Sequence, residues 1–540
     1  MSRTDRILSR SRTWHLGRAV AAQAEGQLPD PGSSWVPEGR WDWFLLSGIV
    51  VVAFVVRAVP VLRGGGLDGH LGYDDGVYFA AAVALVHGVL PYRDFLLLHP
   101  PGIAILLSPF AFLAGLTDDS TGFGLARLAF MALGALNAGL VTVLAGRYGR
   151  RAALLSGILY AVWYSAARAE RTTILIGPQT TLLLIAVLLL VSGHPLRARR
   201  AALAGIALGL AVSIQVWAVV PLAVIAVALV VGWLDVPGER RRSALSLLAG
   251  AAAALAAVCL PFLVAAPAEF VRYVLVDQLA RADLGVSTLV RLRVLEGLAE
   301  AGGSRFDLVN VAVVVMSTVG VAAIVLVARR VPAARMWCAL VVVEVGYLLV
   351  APNFYTHYSG WMAPAAAIIV GTAAAVVLGM LDRYRTLAMV AKVGYMALVA
   401  TFAVTVPRSQ GSVMPRASLE GDIRDARCVA ADAPDLLIET TGLRRDLQNG
   451  CQLVIDPTGT SYETDRGHLA AGPVAKARLR APGYQIAMEE YYDDSNAAMF
   501  DQEAADGLTP ATDEEISDDL PVVVPHGSVT VLLPGPTTLP

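Results

Sequence analysis

Five basic clusters interrupt a chain that is otherwise almost continuously apolar from Trp43 to Val406: Arg147/Arg150/Arg151, Arg197/Arg199/Arg200, Arg240/Arg241/Arg242, Arg329/Arg330/Arg335 and Arg383/Arg385/Lys392. Each is separated from the next by enough apolar sequence for two membrane crossings, and basic loops stay on the cytoplasmic side of a bilayer. The connections between clusters therefore share one external face. Onto it fall Tyr73-Asp74-Asp75, His99-Pro100-Pro101, Glu170-Arg171 and Asn353 to His357. Chemistry in such a chain has to be assembled from these external loops.

A composition of 56% hydrophobic and 16% charged residues excludes an ordinary soluble enzyme. The near-neutral net charge hides a split, because half of the 44 acidic residues but only 10 of the 42 basic ones lie beyond Val406. A basic, apolar part suits contact with anionic headgroups, and an acidic tail suits a solvated domain. Of four cysteines, Cys259 and Cys338 lie in apolar runs and read as packing residues, whereas Cys428 and Cys451 lie in the tail and are candidates to pair. A disulfide needs an oxidising compartment, which agrees with an external tail.

Residues 1–42 read as a disordered cytoplasmic N-terminus, 43–406 as the membrane domain and 407–540 as a small external α/β domain. The first crossing, Trp43 to Leu62, is expected to exit with Arg57 near its outer end. The apolar runs Ala80 to Val89 and Ile103 to Leu116 are shorter than the roughly 20 residues a spanning helix needs, and are expected to lie at the outer interface. Spanning helices are then expected over 124–146, 152–169, 173–192, 201–215, 217–234, 243–264, 308–328, 337–351, 362–381 and 388–406. With the first that makes eleven, which leaves the N-terminus inside and the tail outside. The external loop 265–307 carries Arg272, Tyr273, Asp277, Gln278, Arg281, Arg291, Arg293 and Arg305, more basic charge than topology favours, and a phosphate ligand would account for it. In the tail, Cys428 to Ala430, Leu453 to Ile455 and Val522 to Val524 are the short apolar runs.

Asp74 and Asp75 stand between Gly72 and Gly76, which remove side-chain bulk and let a ligand approach. A carboxylate there suits a general base, and the bland alternative is a cap on the helix that follows. Both aspartates are also candidate oxygen ligands for Mg²⁺ or Mn²⁺, although no complete ligand set is visible. No phosphate-binding loop, dinucleotide fingerprint or zinc spacing is present, and no nucleic-acid partner is expected.

The ordered series of the acidic pair, Tyr92-Arg93-Asp94, His99-Pro100-Pro101-Gly102, Arg127, Arg147-Tyr148-Gly149-Arg150-Arg151 and Glu170-Arg171 resembles the GT-C class of membrane glycosyltransferases. That class includes protein O-mannosyltransferases and the aminoarabinose transferase of lipid A. The likeness covers about residues 43–200 well and the later crossings mainly in layout. It implies that Asp75, or else Asp74, is the catalytic base, and that Glu170 is a second acid across the site. Many relatives have Asp where this chain has Glu170, and an ion pair with Arg168 or Arg171 is its structural alternative. His99 and Arg127 stand near the expected donor phosphate, with Arg171, Arg272, Gln278, Arg281 and Arg291 or Arg293 as further phosphate or substrate contacts. Tyr73, Asn353, Tyr355, His357 and Tyr358 supply rings and hydrogen-bonding groups suited to a sugar.

The function expected is transfer of a hexosyl or pentosyl group from a polyprenyl-phosphate donor to an extracytoplasmic envelope glycan, lipid or protein, with inversion, in the cell membrane. A transporter or flippase would instead place ionisable groups at the bilayer midplane, whereas the acidic residues here cluster at helix ends. A non-catalytic anchor would have no use for an arginine-rich external loop.

Overall fold

The computed structural model of the chain describes residues 39–192, 198–234, 240–279, 286–298 and 308–405, most of 411–456, and the segments 484–490, 522–526 and 529–533. The expected N-terminal segment 1–38, Arg281 and Arg305 lie outside the described residues.

Helices occupy every expected crossing: α1 (Arg40–Arg63), α4 (Asp119–Ala145), α5 (Arg150–Val162) with α6 (Tyr164–Ala169), α7 (Ile176–Val191), α8 (Ala198–Ile214), α9 (Val219–Val231), α10 (Arg240–Ala265), α12 (Leu308–Arg330), α13 (Arg335–Val350), α14 (Ala363–Leu381) and α15 (Arg385–Thr405). Between α1 and α4 lie α2 (Tyr73–Val86) and α3 (Gly102–Leu116), and α11 (Thr288–Leu295) precedes α12. Seven of the described helices are long and apolar enough to cross a membrane, and the others expected to cross are shorter. The protein is a multi-pass membrane protein. On α3, Ile105, Leu106, Phe112, Leu113 and Leu116 are exposed, as on a helix side laid against lipid.

Two departures from the expected bounds shape the end that carries the acidic motif. The run expected as one helix over 152–169 breaks at Trp163, whose backbone is extended (φ −61°, ψ 114°) and whose ring stacks on Phe402 at 5.1 Å. The break turns α6 against the short turn Thr356–Gly360. Helix α7 begins at Ile176 rather than at 173, which leaves Thr173 free of the helix ladder.

Close helix packing rests on small residues. Cβ atoms at Gly205 and Gly209 of α8 would strike the backbone of Leu247 and Ala251 on α10, and one at Gly250 would strike that of Ala202. Backbone thus lies on backbone, where dispersion rather than hydrophobicity holds helices together in lipid.

The basic clusters gather at one end of the bundle. Arg150 pairs with Asp42 at 2.8 Å, Arg151 with Asp382 at 2.7 Å, and Arg147 donates to the Val191 carbonyl at 2.7 Å. One carboxyl departs from the expected clustering at helix ends. Glu344, midway along α13, is fully buried and neither of its oxygens has a hydrogen-bond partner.

The tail forms α16 (Pro434–Glu439), α17 (Gly442–Asn449) and a sheet of β1 (Cys428–Ala431), β2 (Tyr484–Glu490), β3 (Val522–His526) and β4 (Val529–Leu533) in the order β1-β2-β4-β3. β1 and β2 are parallel and the other two pairings antiparallel. The expected run Leu453 to Ile455 forms no strand, and β2 falls on a segment that was not singled out. Cys428 and Cys451 are disulfide-bonded with Cα atoms 6.0 Å apart. The tail is not packed separately. Val429, Leu436, Leu437, Ile438 and Leu443 share one apolar cluster with Val77 and Phe79 of α2, Ile103 of α3 and Phe123 of α4.

Candidate active site

Helix α2 starts at Tyr73 and no side chain caps it, so the capping alternative for the two aspartates is not realised. Both lie in its first turn, where a carboxylate is favoured by the helix dipole. A 100° rotation per residue then sends them in different directions.

Asp75 points inward and is sealed. Arg127 approaches its Oδ2 from Nε (2.8 Å) and Nη2 (2.7 Å), and Thr173 donates to Oδ1 from its amide (2.6 Å) and its hydroxyl (2.7 Å). Arg127 lies 3.8 Å over the Phe123 ring and also donates to the carbonyls of Leu67 and Gly69. The carboxylate of Asp75, expected as the base, meets internal donors and no solvent in this structure. Arg127, expected beside a donor phosphate, is spent on that pair. The Arg127 guanidinium occupies Oδ2 of Asp75, one of the oxygens considered as a metal ligand.

Asp74 points out. Its side chain is 39% exposed, and its Oδ2 lies 3.6 Å from Nε2 of His357, itself 25% exposed. The ring of His357 stacks on Tyr355 at 5.8 Å and meets Tyr358 edge-on at 4.7 Å. Tyr358 in turn packs on Trp217 at 4.5 Å, which joins the turn before α9 to the site. Arg291, buried, donates to the carbonyls of Leu348 and Ala351 and lies over Phe354, so it braces this loop rather than reaching a ligand.

Glu170 is likewise not across an open site from Asp74. It is fully buried, accepting from Nε (2.9 Å) and Nη2 of Arg57, from Asn137 (2.6 Å) and from Tyr160 (2.8 Å). The ion pair considered with Arg168 or Arg171 is made instead by Arg57, buried near the C-terminal end of α1. A Cβ at Gly134 would lie 2.7 Å from Glu170 Oε2, so glycine makes room for the pair. Arg171 is buried and donates to the Val56 carbonyl at 3.3 Å.

Among the half-buried cationic side chains of the described loops are His99, edge-on to Tyr78 at 5.6 Å, Arg168 on α6, and Arg272. Arg272 opens a π-helical turn, Arg272–Val276, a form that often marks functional positions. Gln278 ties this segment to the Leu98 carbonyl at 2.5 Å, bringing it beside His99. Arg293 bonds Asn310, and Asn353 is buried. Thr173, Arg57 and Arg168 were missed as site-forming residues. Only the run of polar residues after Glu170 hinted at the first.

The model for Glycosyltransferase family 87 matches residues 97–352. No curated protein matches the sequence. Among solved structures the chain is similar to ArnT from Cupriavidus metallidurans in the apo state, at 14% identity and a TM-score of 0.57 over 92% of this chain and 99% of that one. ArnT bound to undecaprenyl phosphate gives 15% and 0.55 over the same shares. The oligosaccharyltransferase AglB from Archaeoglobus fulgidus, in complex with an inhibitory peptide and a dolichol-phosphate, gives 13% and 0.55 over 88% of this chain and 72% of that one. These likenesses establish a GT-C fold.

Proposed function

We propose that this GT-C-fold protein moves a sugar from a polyprenyl-phosphate carrier to a hydroxyl of an extracytoplasmic envelope acceptor, with Asp74 as the base. One observation carries the assignment. Asp75 and Glu170 are held by buried internal donors, whereas the neighbouring Asp74 opens outward, beside a histidine.

In this reading the acceptor oxygen attacks the anomeric carbon on the face opposite the phosphate. Its proton passes to Asp74, the bond from the anomeric carbon to the phosphate oxygen breaks, and the bonding pair leaves with the phosphate, so configuration inverts. The His357 ring stands beside the Asp74 carboxylate at 3.6 Å. Tyr355, half-buried, offers its ring to the sugar, with Tyr358 buried behind it. The departing phosphate gains negative charge, which Arg272, His99 and Arg168 are suited to meet, Arg272 with forked donors. Tyr73 lies next to the base. The exposed Val271, Leu275, Val276 and Leu279 beside Arg272 would let a lipid tail remain in the bilayer while its headgroup reaches the site. The ligand-bound ArnT and AglB structures support a lipid-phosphate donor by analogy of fold. A divalent cation is not needed in this scheme.

The test is turnover of purified, lipid-embedded protein against a panel of polyprenyl-phosphate sugars. Asp74→Asn is expected to lower kcat by at least about a hundredfold while donor binding persists. Wild-type turnover in that variant would remove Asp74 from the chemistry.

A further inference from the structure

The tail reaches the acidic motif at several points. Tyr73, immediately before Asp74, donates its hydroxyl to Asp456 Oδ1 at 2.8 Å. His70 Nδ1 lies 2.6 Å from Oδ2 of Asp435, which opens α16. A Cβ at Gly76 would lie 2.5 Å from the Asp435 amide nitrogen, so the glycine expected to admit a ligand instead admits the tail backbone. Arg444 of α17 donates to Asp119 at 2.7 Å and to the Ala114 carbonyl, fixing the same tail to the start of α4 and the end of α3.

Asp435 and Arg444 lie in a closed loop, and Asp456 follows just beyond it. The Cys428–Cys451 disulfide joins the loop's ends across 23 positions, and inside it Asp446 accepts from the Val429 amide at 2.9 Å. Cross-linking the ends of such a loop restricts the spread of positions its residues can sample. The 70–76 stretch is thereby tied to the tail twice: Tyr73 through its hydroxyl to Asp456, just beyond the disulfide, and His70 and Gly76 to Asp435 inside the loop it closes.

We propose that the tail is a positioning element of the active site, with Asp456 and Asp435, backed by the Cys428–Cys451 disulfide, holding the first turn of α2 so that Asp74 meets the acceptor. This rests on the assignment of Asp74 as base. Neither tail carboxylate touches the reacting atoms, so both act through residues 70–76. A base held off line loses rate while the donor, bound elsewhere, keeps its affinity.

The experiment uses the full-length protein in lipid nanodiscs with the polyprenyl-phosphate sugar that supports turnover. Asp456→Ala is expected to lower kcat about tenfold or more with donor KM within about twofold, and Asp456→Asn, which keeps the acceptor for Tyr73, to restore kcat to within about threefold. A merely structural role would not produce that split or that rescue. Hydrogen–deuterium exchange over residues 67–77 is read in parallel and is expected to rise in Asp456→Ala and in the Cys428→Ser/Cys451→Ser double variant. Unchanged kcat in Asp456→Ala, or unchanged exchange over 67–77 in both variants, would overturn the proposal. Were wild-type protein inactive on every donor, the function reading would fail, yet the exchange readout would still decide whether the tail holds the motif. If Asp456→Ala does not fold, Tyr73→Phe removes the same hydrogen bond from the other side and is judged by the same two readouts.

Discussion

Replacing Glu170 separates a structural carboxylate from a catalytic one. In Glu170→Leu the guanidinium of Arg57 would remain fully buried, keeping only its bonds to the carbonyls of Ala53 (2.8 Å) and Ala161 (3.1 Å). Asn137 and Tyr160 would each lose an acceptor as well. Breaking a buried pair by removing one partner costs about 3–5 kcal/mol, roughly two to three and a half decades in the folded-to-unfolded ratio. The double variant Arg57→Met/Glu170→Leu removes both charges and should recover most of that loss, because well-packed apolar replacements of a buried pair are often neutral or better. Denaturant unfolding in mixed micelles gives the stability, and turnover per folded molecule gives the chemistry. The expected pattern is an unstable single variant and a double variant that is stable and active. A double variant that folds normally but loses about a thousandfold in kcat would refute the argument and return Glu170 to the chemistry.

Two further predictions concern the same end of the molecule. Gly134→Ala places a methyl against the Arg57–Glu170 pair and should destabilise by about 1–3 kcal/mol, read in the same unfolding assay. Burial pushes the Glu439 carboxyl up to about 8, opposed by Ser120 and Arg127 and assisted by Asp68 and Asp435. The folded state therefore holds a proton that the unfolded chain gives up near the ordinary glutamate value. Stability should fall as pH rises from about 5 to about 8, at up to about 1.4 kcal/mol per pH unit, and Glu439→Gln should flatten that slope in a pH series of melting curves.

The membrane architecture was legible because charge and apolar length are linear properties of the chain. Arg150, Arg151, Asp42 and Asp382 could be assigned to one end without knowing which helices touch. The acidic motif and the His357 turn were legible as candidates for a similar reason, since loops between basic clusters must lie together. Which of two adjacent aspartates faces solvent was not legible. That depends on where α2 starts and on Thr173, 98 positions away, offering two donors at that spot. Nor could spacing pair Glu170 with Arg57 across 113 positions, because either of the nearby arginines would have satisfied the same local pattern. The contact of Gly76 with Asp435 is of the same kind: a glycine announces that something comes close, but not what.

The apolar cluster that the tail shares with α2, α3 and α4 has a consequence for how the protein is made. Leu436, Leu437 and Ile438 cover residues that left the ribosome some 350 positions earlier, around Val77 and Phe79. Until those late residues have been made, that apolar surface around Val77 and Phe79 lies bare, however completely the helices have inserted.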